Sequence, residues 1–219
     1  MTAPNTTATP FAEAVEHLIK SDRRMAQLIE RVGPCTLKLR HEHSIFYSLL
    51  RSIVYQQLAG SAAAAILARV DELFPDALAT PEQIAAVPEK KLRAAGLSKN
   101  KALAVKDLAA KTLDGTVPDG KIIDAMSDEE IIERVIEVRG IGRWTVEMLL
   151  IFRLGRTDVL PVDDYGVRKG FQRIYRLPDL PTKQQMLKKG EKWRPWRSIA
   201  SWYLWRAAET AKPKLKQPK

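Results

Sequence analysis

Cysteine is almost missing from this sequence: Cys35 stands alone among 219 residues. A single thiol excludes an internal disulfide and a cysteine-ligated iron–sulfur cluster alike. Histidine is nearly as scarce, and His17, His41 and His43 form no HExxH-type pair, which argues against a dedicated zinc site. No apolar run reaches the 18 residues of a membrane span, and no segment reads as a signal peptide. Strand-like alternation is confined to Thr157–Val162, too short a stretch to carry a sheet. Acidic residues are in deficit as well: 26 Asp+Glu face 36 Lys+Arg, a net charge of +10. That balance points to an anionic partner, with nucleic acid first and a membrane surface second.

What the chain has in quantity is apolar residues at helical spacing, punctuated by short Gly and Pro breaks. Helices are expected over Phe11–Arg31 (two, if Ser21-Asp22 caps the second), His43–Leu58, Ser61–Phe74, Pro81–Val87, Pro88–Ala95 and Asn100–Leu113. Further ones are expected over Ser127–Val138, Gly142–Gly155, Asp164–Tyr175, Thr182–Trp193 and Pro195–Ala211. Both proline-led segments place Pro at the first helical position. The fold class is therefore all-α. Residues 1–10 read as a disordered lead-in and 212–219 as a solvated basic tail.

The stretch Arg139-Gly-Ile-Gly-Arg-Trp-Thr-Val-Glu-Met-Leu-Leu150 joins two helical runs through two glycines. Ile131, Ile132, Val135, Ile136 and Val138 form the apolar face of the first run, and Arg139-Gly140 should end it. Gly140 suits a left-handed helix end, and Gly142, opening the next helix, leaves the backbone approachable. Exposed N–H groups at a helix start favour an anion such as phosphate, with Arg139 and Arg143 adding charge. Taken alone, the turn serves equally as a tight αα-corner that binds nothing. A similar but weaker echo, Arg93-Ala-Ala-Gly-Leu-Ser-Lys-Asn-Lys101, also joins a glycine to a basic helix start.

Three further segments accompany the glycine turn. Val138-Arg-Gly-Ile-Gly-Arg-Trp-Thr145, Leu160-Pro-Val-Asp-Asp-Tyr165, Trp193-Arg-Pro-Trp-Arg-Ser198 and Ile53-Val-Tyr-Gln-Gln-Leu-Ala-Gly-Ser-Ala62 together resemble the helix-hairpin-helix DNA glycosylases. Within that superfamily they are most similar to the 3-methyladenine DNA glycosylase II branch, without its N-terminal β-rich domain. The resemblance spans about residues 45 to 206, with the motifs in the expected order.

The resemblance implies two helical lobes flanking a DNA-binding cleft within 11–211: a core lobe of about 40–160 and a second lobe from 11–40 plus 161–211. It implies backbone contacts to double-stranded DNA by Arg139, Gly140, Ile141, Gly142, Arg143 and Thr145. The catalytic carboxylate falls to Asp164, with Asp163 capping the helix or otherwise structural. On pattern alone, both aspartates serve as caps. Pocket residues for the base are Trp144, Trp205, Tyr165, Gln56 and Met148, while Gln57 and Leu58 are candidates for the wedge that fills the gap left in the stack. Trp193 and Trp196 are expected to be core. No cofactor is required; a Na+ or K+ ion held by backbone carbonyls of Ile136, Val138 and Gly140 matches some family members.

The chemistry expected is hydrolysis of the bond between sugar and alkylated purine, such as 3-methyladenine or 7-methylguanine. An ionised Asp164 at a helix start would stabilise positive charge on the sugar or activate water. Lyase relatives carry a lysine where this chain has Trp144, so a Schiff base through that position is excluded. An aromatic face there attracts a cationic base. Two other readings stay open: a non-catalytic hairpin module that only clamps phosphates, and a mismatch-specific glycosylase of the same superfamily. The placement of Asp164 weighs against the first and the cysteine count against the second. The expected protein is monomeric, has no membrane partner, and lies in the cytoplasm of a bacterial-type cell, associated with the nucleoid.

Overall fold

A computed structural model of the protein describes residues 11–41, 43–74 and 78–209; the expected lead-in 1–10 and basic tail 212–219 lie outside these residues. The chain begins with α1 (Ala12–Ser21) and α2 (Arg23–Val32). Then follow α3 (Ile45–Tyr55), α4 (Gly60–Asp71), α5 (Pro81–Ala86), α6 (Glu89–Ala94) and α7 (Lys99–Leu113). Next come α8 (Gly120–Ala125), α9 (Asp128–Val135) and α10 (Arg143–Phe152). The last are α11 (Tyr165–Tyr175), α12 (Lys183–Gly190), a 3-10 turn (Glu191–Trp193) and α13 (Arg197–Glu209). There is no strand among the described residues, and none of their helices is long and apolar enough to cross a membrane.

Local side-chain chemistry sets where these helices start. Asp22 accepts from the backbone N–H groups of Arg24 (2.8 Å) and Met25 (3.3 Å), so it caps α2. Ser44 and Ser98 cap α3 and α7 in the same way. Reciprocal capping boxes, Thr80 with Gln83, Ser127 with Glu130 and Thr182 with Gln185, open α5, α9 and α12. Pro81 occupies the first helical position as expected, whereas Pro88 is the N-cap of α6, one position earlier than expected. The sequence pattern also missed α8, whose six residues lack the leading proline that marks the equally short α5 and α6.

Two compact units divide the chain, one from Leu39 to Gly155 and the other from the residues up to Lys38 and from Arg156 onward. In the first, α7 lies against α3, α5 and α6, and α10 against α3 and α9. Its interior includes Phe46, Leu50, Ile84, Leu92, Val105 and Leu150, all nearly or wholly buried. In the second, α11 and α13 form the main pair, with α1 and α2 packed on α13. Leu18, Met25, Leu28, Trp193 and Tyr203 fill its core, and Trp196 packs against it. Trp193 and Trp196 are thus core residues.

Candidate active site and nucleic-acid interface

In the Leu39–Gly155 unit the glycine turn is built from two anchors and an open backbone. The helix before it stops at Val135, three residues short of the expected end. Ile136 caps it and is 44% exposed, so it leaves the apolar face it was expected to share. Val138 and Ile141 are buried and pin the turn into the unit. Between them Gly140 takes φ +77°, a left-handed conformation that only glycine adopts at little cost. Gly142 starts α10 without a side-chain cap, and an added Cβ there would meet nothing within 4 Å. Among the described residues none accepts from the backbone N–H groups of Gly140, Gly142 or Arg143. Unsatisfied N–H groups at the positive end of a helix are suited to an anion.

Two of the residues expected at the DNA backbone also have partners within the chain. Thr145 is buried and its N–H donates to the Gly142 carbonyl at 2.9 Å, so it belongs to the fold of α10. Arg143 spends its charge on neighbours, bonding Glu129 through two nitrogens at 2.8 Å and Glu147 at 3.3 Å. The Glu129 bond raises the guanidinium's pKa further and lowers that of Glu129 in return. Arg139 makes no such side-chain ion pair among the described residues.

Beside the turn lies a cavity of about 480 Å³ whose walls include Gln56, Gln57, Trp144, Thr145 and Met148, together with Arg51, Ser52, Tyr55 and Gly140. The structure thus gathers expected base-pocket residues of this unit in one place. Trp144 is 46% exposed and Met148 is half-buried. Arg51 stacks over Tyr55 at 4.1 Å, so that ring already holds a cation. Gln56 donates from Nε2 to the Gly140 carbonyl at 2.9 Å, joining the end of α3 to the hairpin. Gln57 and Leu58 are both exposed just after it. Gln57 has φ +58°, a conformation that costs a non-glycine residue roughly 1–2 kcal/mol.

In the other unit Asp164 is the N-cap of α11, and Oδ1 accepts from Val167 N–H at 2.7 Å. The same oxygen accepts from the Trp205 indole Nε1–H at 2.8 Å. Asp164 is therefore cap and candidate catalytic carboxylate at once. Asp163, expected to cap the helix or serve otherwise in the structure, pairs with Lys183 at 2.7 Å. Trp205, expected as a pocket aromatic, also orients the carboxylate. Tyr165 opens α11 and is 67% exposed.

Sequence reasoning missed the residues that make room for this bond. An added Cβ at Gly166 would lie 2.8 Å from Trp205 Cδ1 and 3.1 Å from Asp164 Oδ1. At Gly170 it would lie 2.0 Å from the Leu204 carbonyl oxygen, so α11 and α13 meet backbone to backbone. The Gly166–Gly170 spacing, one helical turn, was the available signal. No group of three or more His, Cys, Asp or Glu among the described residues could hold a metal ion.

A helical chain with a glycine hairpin open to phosphate and a doubly bonded carboxylate at a later helix start has the parts of a DNA-repair glycosylase. Residues 50–195 match the family described as HhH-GPD superfamily base excision DNA repair protein, and the chain belongs to it. It is 39% identical to DNA-3-methyladenine glycosylase 1 of Schizosaccharomyces pombe, over 93% of this chain and 90% of that protein. The solved structure of the S. pombe 3-methyladenine DNA glycosylase in complex with abasic DNA is similar with a TM-score of 0.76 at 38% identity, covering 89% of this chain and 95% of that one. A DNA-3-methyladenine glycosidase from Bacillus halodurans is similar with a TM-score of 0.83 at 36% identity, covering 93% and 91% of the two chains.

Proposed function

We propose that this protein is a monofunctional DNA glycosylase of base excision repair that removes alkylated purines from double-stranded DNA. The observation that carries the reading is Asp164, whose Oδ1 is fixed by Val167 N–H and Trp205 Nε1–H at the start of α11. A carboxylate fixed in this way suits a transition state in which the sugar becomes positive. The bond between C1′ and the base nitrogen breaks, and its electron pair leaves with the base. A purine alkylated at N3 or N7 carries a positive charge beforehand and departs neutral. Water then bonds to C1′ and gives its proton to Asp164 or to solvent.

The exposed ring of Trp144 suits a cationic base, and its indole has no amine with which to form a Schiff base. The open N–H groups at Gly140 and Gly142 grip a DNA phosphate without reading sequence. Extruding the base costs a few kcal/mol, least for damaged pairs, and exposed Gln57 and Leu58 are the candidates to fill the gap. A Na+ or K+ ion at the hairpin belongs to the same proposal. The Val138 carbonyl accepts from Ile141 and that of Gly140 from Gln56, and each keeps a second lone pair.

The test is incubation with methylated duplex DNA. We expect free 3-methyladenine or 7-methylguanine with strands left intact. A covalent enzyme–DNA adduct trapped by borohydride would contradict the monofunctional reading, and intact DNA with no free base would contradict the reading as a whole.

A further inference from the structure

Three charged side chains of α7 hold backbone atoms of the two turns described above. Lys101 Nζ donates to the carbonyls of Val54 and Gln56, both at 2.7 Å, at the end of α3. Asp107 Oδ2 accepts from the Arg139 N–H at 2.7 Å. Lys111 Nζ donates to the Glu137 carbonyl at 2.7 Å. The last carbonyls of a helix have no partner within it, and a cation there also suits the helix dipole. Gln56 closes the circuit through its bond to Gly140. One helix is therefore bonded to the Gln56–Leu58 turn near its start and to the hairpin further along.

We propose that α7 acts as a strut fixing the spacing between these turns, and that Lys101 is a positioning residue for base extrusion. This rests on the glycosylase reading, in which Gln57 and Leu58 enter the duplex while the hairpin holds a phosphate. Gln57 stays in its left-handed conformation only if its surroundings over-determine it. The Lys101 ammonium supplies that constraint, because one of the two carbonyls it binds belongs to the peptide joining Gln56 to Gln57. Two carbonyls converging on one point suit a compact ammonium rather than a planar guanidinium. Without it that peptide turns over, Gln57 relaxes, and both wedge candidates swing from their place beside the hairpin. The loss falls on extrusion and leaves the phosphate grip and the bond-breaking carboxylate in place.

The test compares wild type with Lys101→Met and Lys101→Arg, after thermal melting confirms that each is folded. The probe is a duplex carrying 2-aminopurine beside a stable abasic analogue, whose fluorescence rises when the neighbouring stack is opened. We expect the rise with wild type, its loss with Lys101→Met at saturating protein, and a partial rise with Lys101→Arg. In single-turnover base release, Lys101→Met should slow a normally paired lesion by on the order of 10- to 100-fold. The same lesion in a mismatch, which is cheaper to extrude, should be slowed far less. A wild-type fluorescence rise in Lys101→Met, or equal slowing of paired and mismatched lesions, would overturn the proposal. Base release by the wild type reports separately on the glycosylase reading. A fluorescence rise that depends on Lys101 would support the strut even if no base were freed.

Discussion

Asp164 Oδ1 accepts from two N–H groups of different origin, one from the backbone of α11 and one from the Trp205 indole. The backbone bond survives any change at position 205, so the indole bond can be tested alone. Trp205→Phe keeps an aromatic ring and removes the donor along with part of the indole's volume. A hydrogen bond to a charged group contributes about 1.5–3 kcal/mol, so kcat should fall by roughly 10- to 100-fold with KM little changed. An equal rise in KM with kcat unchanged would instead make Trp205 a binding surface only. Gly166→Ala should reproduce the loss by a steric route, because its Cβ would meet Trp205 Cδ1 at 2.8 Å.

The helices around that residue carry their own constraints. Gly170 lets α11 meet the backbone of α13 at Leu204, beside Trp205, and a methyl group there has no room. Gly170→Ala should therefore cost about 1–3 kcal/mol or more in thermal unfolding and lower activity through displacement of α13. Asp22 ties α2 to α11 and the 3-10 turn: it accepts from Tyr175 and, at 3.2 Å, from Trp193 Nε1, and it pairs with Lys192 at 2.8 Å. Burial alone would raise its pKa, but the Lys192, Tyr175 and Arg24 bonds outweigh it and hold the carboxyl below the ordinary value of 3.8. A group depressed in the folded state stabilises above its unfolded pKa, and that contribution is lost as pH falls through the folded value. The melting temperature of the wild type should thus drop in acid below about pH 4, and Asp22→Asn, which keeps the cap, should flatten that limb. An unchanged acid limb in the variant would remove Asp22 from this role.

Across the whole molecule the excess of ten positive charges sets the expected salt dependence of DNA binding. Affinity should fall linearly on a log–log plot of salt, and Arg139→Ala should reduce the slope by about 1. Arg143→Ala should leave the slope almost unchanged, since Glu129 and Glu147 already neutralise that side chain. At this scale much was legible in the sequence: the all-α class, most helix positions, a cap at Ser21-Asp22, and the left-handed Gly140. Short α8 was not, because it has neither a visible period nor the leading proline of α5 and α6. Which of Asp163 and Asp164 caps α11 was hidden as well, because neighbouring aspartates look alike until one of them meets the Val167 N–H. Nor could the pairing of Arg143, the Trp205 bond or the α7 contacts be read, since each joins residues by the path of the chain in space.

The proposed catalytic role of Asp164 is open to a direct test. Asparagine preserves the N-cap and its hydrogen bonds while removing the negative charge, so Asp164→Asn should remain folded. The decisive measurement is single-turnover release of 3-methyladenine from duplex DNA by this variant and by wild type. We expect near-complete loss of release with DNA binding retained. Release by the folded variant at the wild-type rate would contradict it.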